Sequence, residues 1–284
     1  MIEKKSMEER VKKCTESWDL SQDDLAECAV RESAQVGYAG LGPDLEEWRD
    51  VLMRYQGRCK HLRLTDYDTI GSFAFAGNET LEGVLIFGVA QILDEAFVNC
   101  PNLTAALIYE TSEQGLLSIG GGAFSGCKSL ELVRLPETLT SIGEAAFTGC
   151  SSLRELEIPD SVVSIGAAAF AGCTDLSITK LPKDLKVVES NVFSQVASVC
   201  DLPEGVIIIR EEAYEYCFPC DFYVPKSVKY IGRNAFPPLA EYEDDDEYYI
   251  LFGGTEEEWN KIEIDRTGGW LDGYKVKFNC KRRK

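Results

Sequence analysis

The chain has 284 residues, with 48 Asp and Glu against 29 Lys and Arg and a net charge of −19. A surface this acidic opposes binding to nucleic acid or anionic lipid through bulk electrostatics and favours solubility or a basic partner. No apolar run reaches the roughly 18 residues of a membrane span, and residues 1–10 lack the apolar core of a signal peptide, so the chain as given is expected in the cytoplasm without membrane insertion.

Residues 1–56 show helical spacing. Val11, Cys14 and Trp18 lie three and four apart; Ser21 to Asp24 resembles a helix start leading into Leu25, Cys28 and Ala29; Asp44 is placed to cap a helix carrying Trp48, Val51, Leu52 and Tyr55. A helical N-terminal cap is expected, because the end coil of a repeat array exposes an apolar face. An independent helical docking module is the alternative.

From residue 57 to residue 240 one short pattern recurs. Its aromatics are Phe75, Phe97, Phe124, Phe147, Phe170, Phe193, Tyr214 and Phe236, about 23 residues apart, within the range of leucine-rich repeats. A second signal runs in phase: Leu135-Pro136, Ile158-Pro159, Leu181-Pro182, Leu202-Pro203 and Val224-Pro225, each followed three residues after the proline by Leu or Val. Each unit reads as a short strand, a proline corner, a second short strand and a helical or 3₁₀ turn carrying Ala-Phe. In the unit of Leu153, Leu156 and Ile158 are two apart and share a face, and Pro159 ends the ladder. Ala146 and its equivalents fit a site where coils approach closely, and the rings fill an apolar spine. Gly143 and its equivalents predict a tight turn, although Leu93, Glu189 and Arg210 show that a positive φ is not required. Residues 109–114 stretch one unit.

Residues 241–284 begin with six carboxylates in seven positions, 241–247, read as a solvated loop or as a weak site for a divalent cation or basic partner. Thr255 to Glu258 is placed to start a helix that holds Trp259 inward, with Trp270 and Phe278 completing a small C-terminal cap. The closing Lys281-Arg282-Arg283-Lys284 reads as a solvated tail.

The units resemble those of the BspA-type leucine-rich-repeat family, whose hallmark is I-G-x-x-A-F-x-x-C-x-x-L-x-x-x-x-I-P-x-S-V; residues 142–166 match it almost letter for letter. The stretch from Phe252 to Ile262, with Gly254, Thr255 and Trp259, also resembles the G-T-x-x-E-W-x-x-I module that closes such proteins. The resemblance implies an α/β solenoid, a right-handed leucine-rich-repeat superhelix with a parallel β-sheet of about eight coils. It further implies a surface or secreted protein of interaction or adhesion with no catalytic residues to transfer. Asn78 and Val196 depart from it by replacing cysteine.

Cys100, Cys127, Cys150, Cys173 and Cys217 sit three residues after the aromatic and form a column. Side chains stacked in register point the same way, so reduced, buried thiols acting as small hydrophobes are expected in place of disulfides. Cys217 and Cys220 make a lone C-x-x-C without a second pair, which is weak support for zinc or redox chemistry. His61 is the single histidine, and no Cys-His or Ser-His-Asp set, phosphate loop or metal-ligand cluster can be assembled. No enzyme activity, cofactor or metal is expected.

Function is then sought on the outward face. Counting back two positions from each proline corner gives a column containing Arg63, Leu85, Leu107, Arg134, Glu157, Lys180, Asp201 and Tyr223. From Arg134 to Asp201 the signs alternate, so cross-strand ion pairs are expected there. Leu85 and Leu107, with Ala105, Leu132 and Ile178 in the next column, form an apolar patch predicted to be exposed, of the kind that marks an interface; the alternative is that the N-terminal helices or the insertion at 109–114 fold over it and make it core. The expected function is non-enzymatic binding of a protein partner through this strand-lined face. The alternative is an intracellular scaffold or inhibitor with no adhesive role.

Overall fold

The computed structural model describes residues 60–65, 69–217, 220–239 and 247–283. The helical expectation for residues 1–56 and most of the acidic run, residues 241–246, lie outside them. The described chain is a parallel-strand β-solenoid of about nine turns. Among the described residues the helix content is α1 (Glu256–Trp259), so the α/β expectation narrows to a β-solenoid.

Most described coils contribute one strand to each of two ladders. The first ladder begins with β1 (His61–Thr65), β3 (Gly83–Phe87), β5 (Ala105–Tyr109) and β7 (Leu132–Arg134), hydrogen-bonded in that order. It continues through a bridge at Glu155 to β10 (Ser177–Ile178) and β12 (Ser198–Val199), and after an interruption as β14 (Phe222–Val224), β16 (Tyr249–Phe252) and β18 (Lys275–Lys277). The second ladder runs β2 (Thr69–Ile70), β4 (Gln91–Ile92), β6 (Ser118–Ile119), β8 (Ser141–Ile142) and β9 (Ser164–Ile165). It resumes with β11 (Val187–Val188), β13 (Ile208–Ile209), β15 (Tyr230–Ile231) and β17 (Glu263–Ile264). Pairing is parallel throughout, and equivalent residues sit over one another, as Ile119 over Ile142 and Ile142 over Ile165 show.

The turns that carry Ala-Phe are not 3₁₀ helix. Two residues flanking each ring except Phe236 take the left-handed conformation: Ala145 (φ 54) and Gly149 (φ 72) around Phe147, Ala168 (φ 54) and Gly172 (φ 72) around Phe170. In these turns every second N–H points toward the next coil, so Ala145, Phe147 and Gly149 donate to the carbonyls of Ala167, Ala169 and Ala171 at 2.7 to 2.8 Å. The turns therefore add a third hydrogen-bonded column. Pro238 stands where Gly149 stands in its coil; lacking an N–H, it cannot extend that column. Gly143 answers a different need, since a Cβ there would lie 2.6 Å from the carbonyl carbon of Gly120. Glycine at this place permits close coil approach, in accord with the expectation that positive φ is not what it supplies.

The spine follows from this stacking. From Phe75 through Phe97, Phe124, Phe147, Phe170 and Phe193 the rings lie nearly parallel, with centroids 4.9, 5.1, 5.3, 5.7 and 6.3 Å apart. Tyr214 tilts by 37° against Phe193, and Phe236 closes the column against Trp270 at 6.1 Å. All five column cysteines are buried, and Cys100, Cys127, Cys150 and Cys173 form no disulfide. They are more than small hydrophobes. The Sγ atoms of Cys100, Cys127, Cys150, Cys173 and Cys217 donate to the carbonyls of Phe75, Phe97, Phe124, Phe147 and Phe193 in an earlier coil at 3.0 to 3.1 Å. At Asn78, in the first described coil, the side-chain oxygen instead accepts from the N–H groups of Thr80 and Leu81 at 3.0 and 2.9 Å.

Candidate functional site: the outward face of the first ladder

Strand alternation divides the first ladder into two faces. Val84, Ile86, Ala106, Ile108 and Val133 belong to the main core, while Leu85, Ala105, Leu107 and Leu132 form a second apolar cluster on the other face. The register brings Arg63, Leu85, Leu107 and Arg134 into one row and Ala105 beside Leu132. The four apolar residues lie together as expected, but they are not exposed: Leu107 and Ala105 are fully buried, and Leu85 and Leu132 nearly so. Burial of a leucine contributes about 1.5 to 3 kcal/mol, so an apolar outward row gains by leaving water.

Beside this cluster the next outward row carries Phe87 and Tyr109, stacked at 5.1 Å with 12° between the ring planes. A guanidinium covers each ring, Arg63 at 5.4 Å from the Phe87 centroid and Arg134 at 4.1 Å from that of Tyr109. Arg134 Nη1 also donates to the Ile108 carbonyl at 2.6 Å. Burial pushes the Tyr109 phenol above its ordinary range, and the Arg134 charge pulls it back. The row was legible in the sequence, since Phe87 and Tyr109 follow Leu85 and Leu107 by two and must share their face. The expectation stopped at the leucines.

Further along, the column counted from the prolines fails, and one residue explains why. Glu155 bridges Leu132 on one side and Ser177 on the other, although Glu155 is four residues before its proline and Ser177 five before its own. A one-residue slip moves every side chain to the opposite face. Ile178 therefore points inward, 1% exposed in the main core, and leaves the outward patch. Continued from that bridge, the register sets Glu157 opposite Thr179 in place of Lys180. The expected ladder of alternating ion pairs does not form: Arg134 stacks on Tyr109, Lys180 reaches back to Asp160 at 2.7 Å, and Asp201 is held by Arg283. Glu157 is exposed, and Tyr223 is buried with its hydroxyl donating to Glu204 Oε1 at 2.5 Å. The basic tail is not wholly solvated, for Arg282 and Arg283 bond to Asp201 across 81 and 82 residues of sequence. Nothing local in the sequence marks that contact.

Burial pushes the Cys150 thiol well up, and the Cys173 and Cys217 thiols up to about 12, so these cysteines are neutral at physiological pH. Among the described residues no group of three or more His, Cys, Asp or Glu is placed to hold a metal ion, and no helix is long and apolar enough to cross a membrane.

The description "BspA type Leucine rich repeat region" matches in 6 copies, over residues 52–115 and 117–239. The chain belongs to the BspA-type leucine-rich-repeat family. Its unit therefore includes the stacked Phe and Cys columns seen above. Among solved structures, a leucine-rich repeat protein from Bacteroides ovatus ATCC 8483 is 26% identical with a TM-score of 0.53, over 72% of this chain and 59% of that one. This chain thus spans less than two thirds of that protein. A T. pallidum leucine-rich repeat protein is 23% identical over 85% of this chain and 95% of its own, with a TM-score of 0.45. A leucine-rich cell surface protein from Faecalibacterium prausnitzii A2-165 is 21% identical over 76% and 84%, with a TM-score of 0.38. No curated protein matches the chain.

Proposed function

We propose that this BspA-type chain is a non-enzymatic recognition protein that takes a protein partner on the outward face of its first ladder. The stacked pair Phe87 and Tyr109, with Arg63 and Arg134 of the neighbouring row over the rings, carries this reading. Protein interfaces are enriched in aromatic residues and arginine, and such residues dominate binding when they rest on a well-packed base. Here the two rings are half-buried against Leu85, Leu107 and Leu132, which hold them from the side, and exposed Glu157 and Lys180 extend the face toward later coils. Tyr223 stiffens its far end through Glu204. The family's repetitive build supports the same reading, because stacked coils offer a long surface with no enclosed pocket.

The test is affinity capture from surface and cytosolic fractions of the producing cell, using the intact protein and a Tyr109→Ala/Arg134→Ala variant. A partner enriched by the native chain and lost by the folded variant is expected; equal recovery would move the site elsewhere. The buried thiols of Cys100, Cys127, Cys150 and Cys173, none in a disulfide, favour a second reading, an intracellular scaffold or inhibitor, because such thiols persist in reducing compartments. Recovery of the partner from the cytosolic fraction alone would select it.

A further inference from the structure

The first ladder is interrupted between β12 and β14, and Arg283 lies across the gap. Its Nη2 and Nε donate to Asp201 Oδ1 at 2.6 and 2.9 Å, Nε also reaches Asp201 Oδ2 at 3.2 Å, and its backbone N–H donates to that Oδ2 at 2.6 Å. Nη2 donates in addition to the Asp221 carbonyl at 2.9 Å, and Arg282 Nη2 to the Asp201 carbonyl at 3.1 Å. A shallow, solvent-open depression lies here, lined in part by Cys200, Tyr214, Phe222, Tyr223 and Arg283 itself.

The two partners are unequal. The Asp201 side chain is 4% exposed and that of Arg283 56%. A carboxylate buried to this degree requires a charged, hydrogen-bonding partner, and a forked guanidinium satisfies both its oxygens at once. Arginine more than half in water loses little by leaving. The depression is built around the acid, and the base is a removable occupant.

We propose that Asp201 with the Asp221 carbonyl is a guanidinium receptor, filled by the chain's own Arg283 and taken over by a protein partner that presents arginine on an extended segment. The chain's charge of −19 draws basic segments toward it. The tether makes Arg283 an intramolecular competitor at an effective concentration on the order of millimolar, so an outside arginine binds weakly until Arg283 is displaced. The inference deepens the recognition reading by naming a partner chemistry; its test reads Asp201 alone, so it can fail while the aromatic row stands.

The probe is acetylated Arg-Arg amide, titrated calorimetrically into the full chain. Arg283→Ala is expected to bind it about tenfold or more tighter than the native protein, and Arg283→Ala/Asp201→Asn to lose that gain. The Lys-Lys counterpart is expected to bind Arg283→Ala about tenfold more weakly, because an ammonium cannot match the fork. Affinity that is equal in native and Arg283→Ala chains, or that survives Asp201→Asn, overturns the proposal. Should Arg283→Ala not fold, the native chain still decides: the probe at about 10 mM, well above that effective concentration, must shift the Arg283 Nε–H resonance, and a resonance that does not move refutes displacement.

Discussion

In the coils of β3 and β5 the first ladder runs five residues, whereas at Glu155 it shrinks to single bridges and at β10 to two residues. The interiors are alike, with the same Phe column and the same Cys column. The outsides differ: Leu85, Leu107 and their neighbours are buried in the longer stretch, while Glu155, Ser177 and Glu157 in the shorter one are partly or fully exposed. Parallel sheets persist where both faces are covered. Apolar cover over β3 and β5 shields their hydrogen bonds from water, and where the outer row turns polar only the pairs nearest the core remain. Ladder length in this protein thus reports what lies outside the sheet.

The comparison breaks first if the shared interior is damaged. Phe147→Ala removes a fully buried ring from the middle of the spine and should cost about 3 to 5 kcal/mol in denaturant unfolding, with the two halves losing a common transition. A loss under about 1 kcal/mol would show that the column does not couple the coils. Next is the outer layer. Leu107→Ala should cost about 2 to 5 kcal/mol, and Glu157→Ala, on the exposed outward side of the polar stretch, should stay within about 0.5 kcal/mol. Equal effects at the two positions would abolish the distinction between two-sided and one-sided coils.

The thiol column sharpens the interior side through pH. Cys173 and Cys217 are raised in the fold from an ordinary 9.0 to about 12. The unfolded chain releases their protons first, so their stability contribution is full below about pH 9 and declines as pH rises toward 12. Each thiol then contributes a slope of up to about 1.4 kcal/mol per pH unit. Cys173→Ala should lower stability at neutral pH by about 1 kcal/mol through the lost bond to the Phe147 carbonyl, and flatten the alkaline decline. An alkaline slope unchanged by the substitution would mean that this thiol ionises as readily in the fold as out of it.

The sequence carried the interior well because stacking makes it periodic: Phe, Ala and Cys recur at fixed places, and fixed places become columns. It carried the outward face less well. The prolines were a sound ruler as far as Glu157, but the slip at Ser177 is invisible without the pairing partner, and it turned Ile178 inward and took Lys180 out of the charge row. The hydrogen bond of each thiol was likewise hidden, since its acceptor is a carbonyl in another coil. Arg283 was the least legible of all, being a contact between residues 82 apart with no periodic marker.

The smallest effect tests the boundary between the two regions, where Arg134 of β7 closes the aromatic row. Its guanidinium lies 4.1 Å from the Tyr109 centroid and bonds to the Ile108 carbonyl. A cation over a ring near the surface contributes about 0.5 to 1 kcal/mol. A double-mutant cycle of Arg134→Ala with Tyr109→Leu should return a coupling in that range. Because Arg134 pulls the Tyr109 phenol down against the upward push of burial, Arg134→Ala should also raise the phenol further, read by its ultraviolet titration. A coupling near zero together with an unmoved titration would place Arg134 with the solvated charges of the middle coils, and the recognition face would then begin at Tyr109.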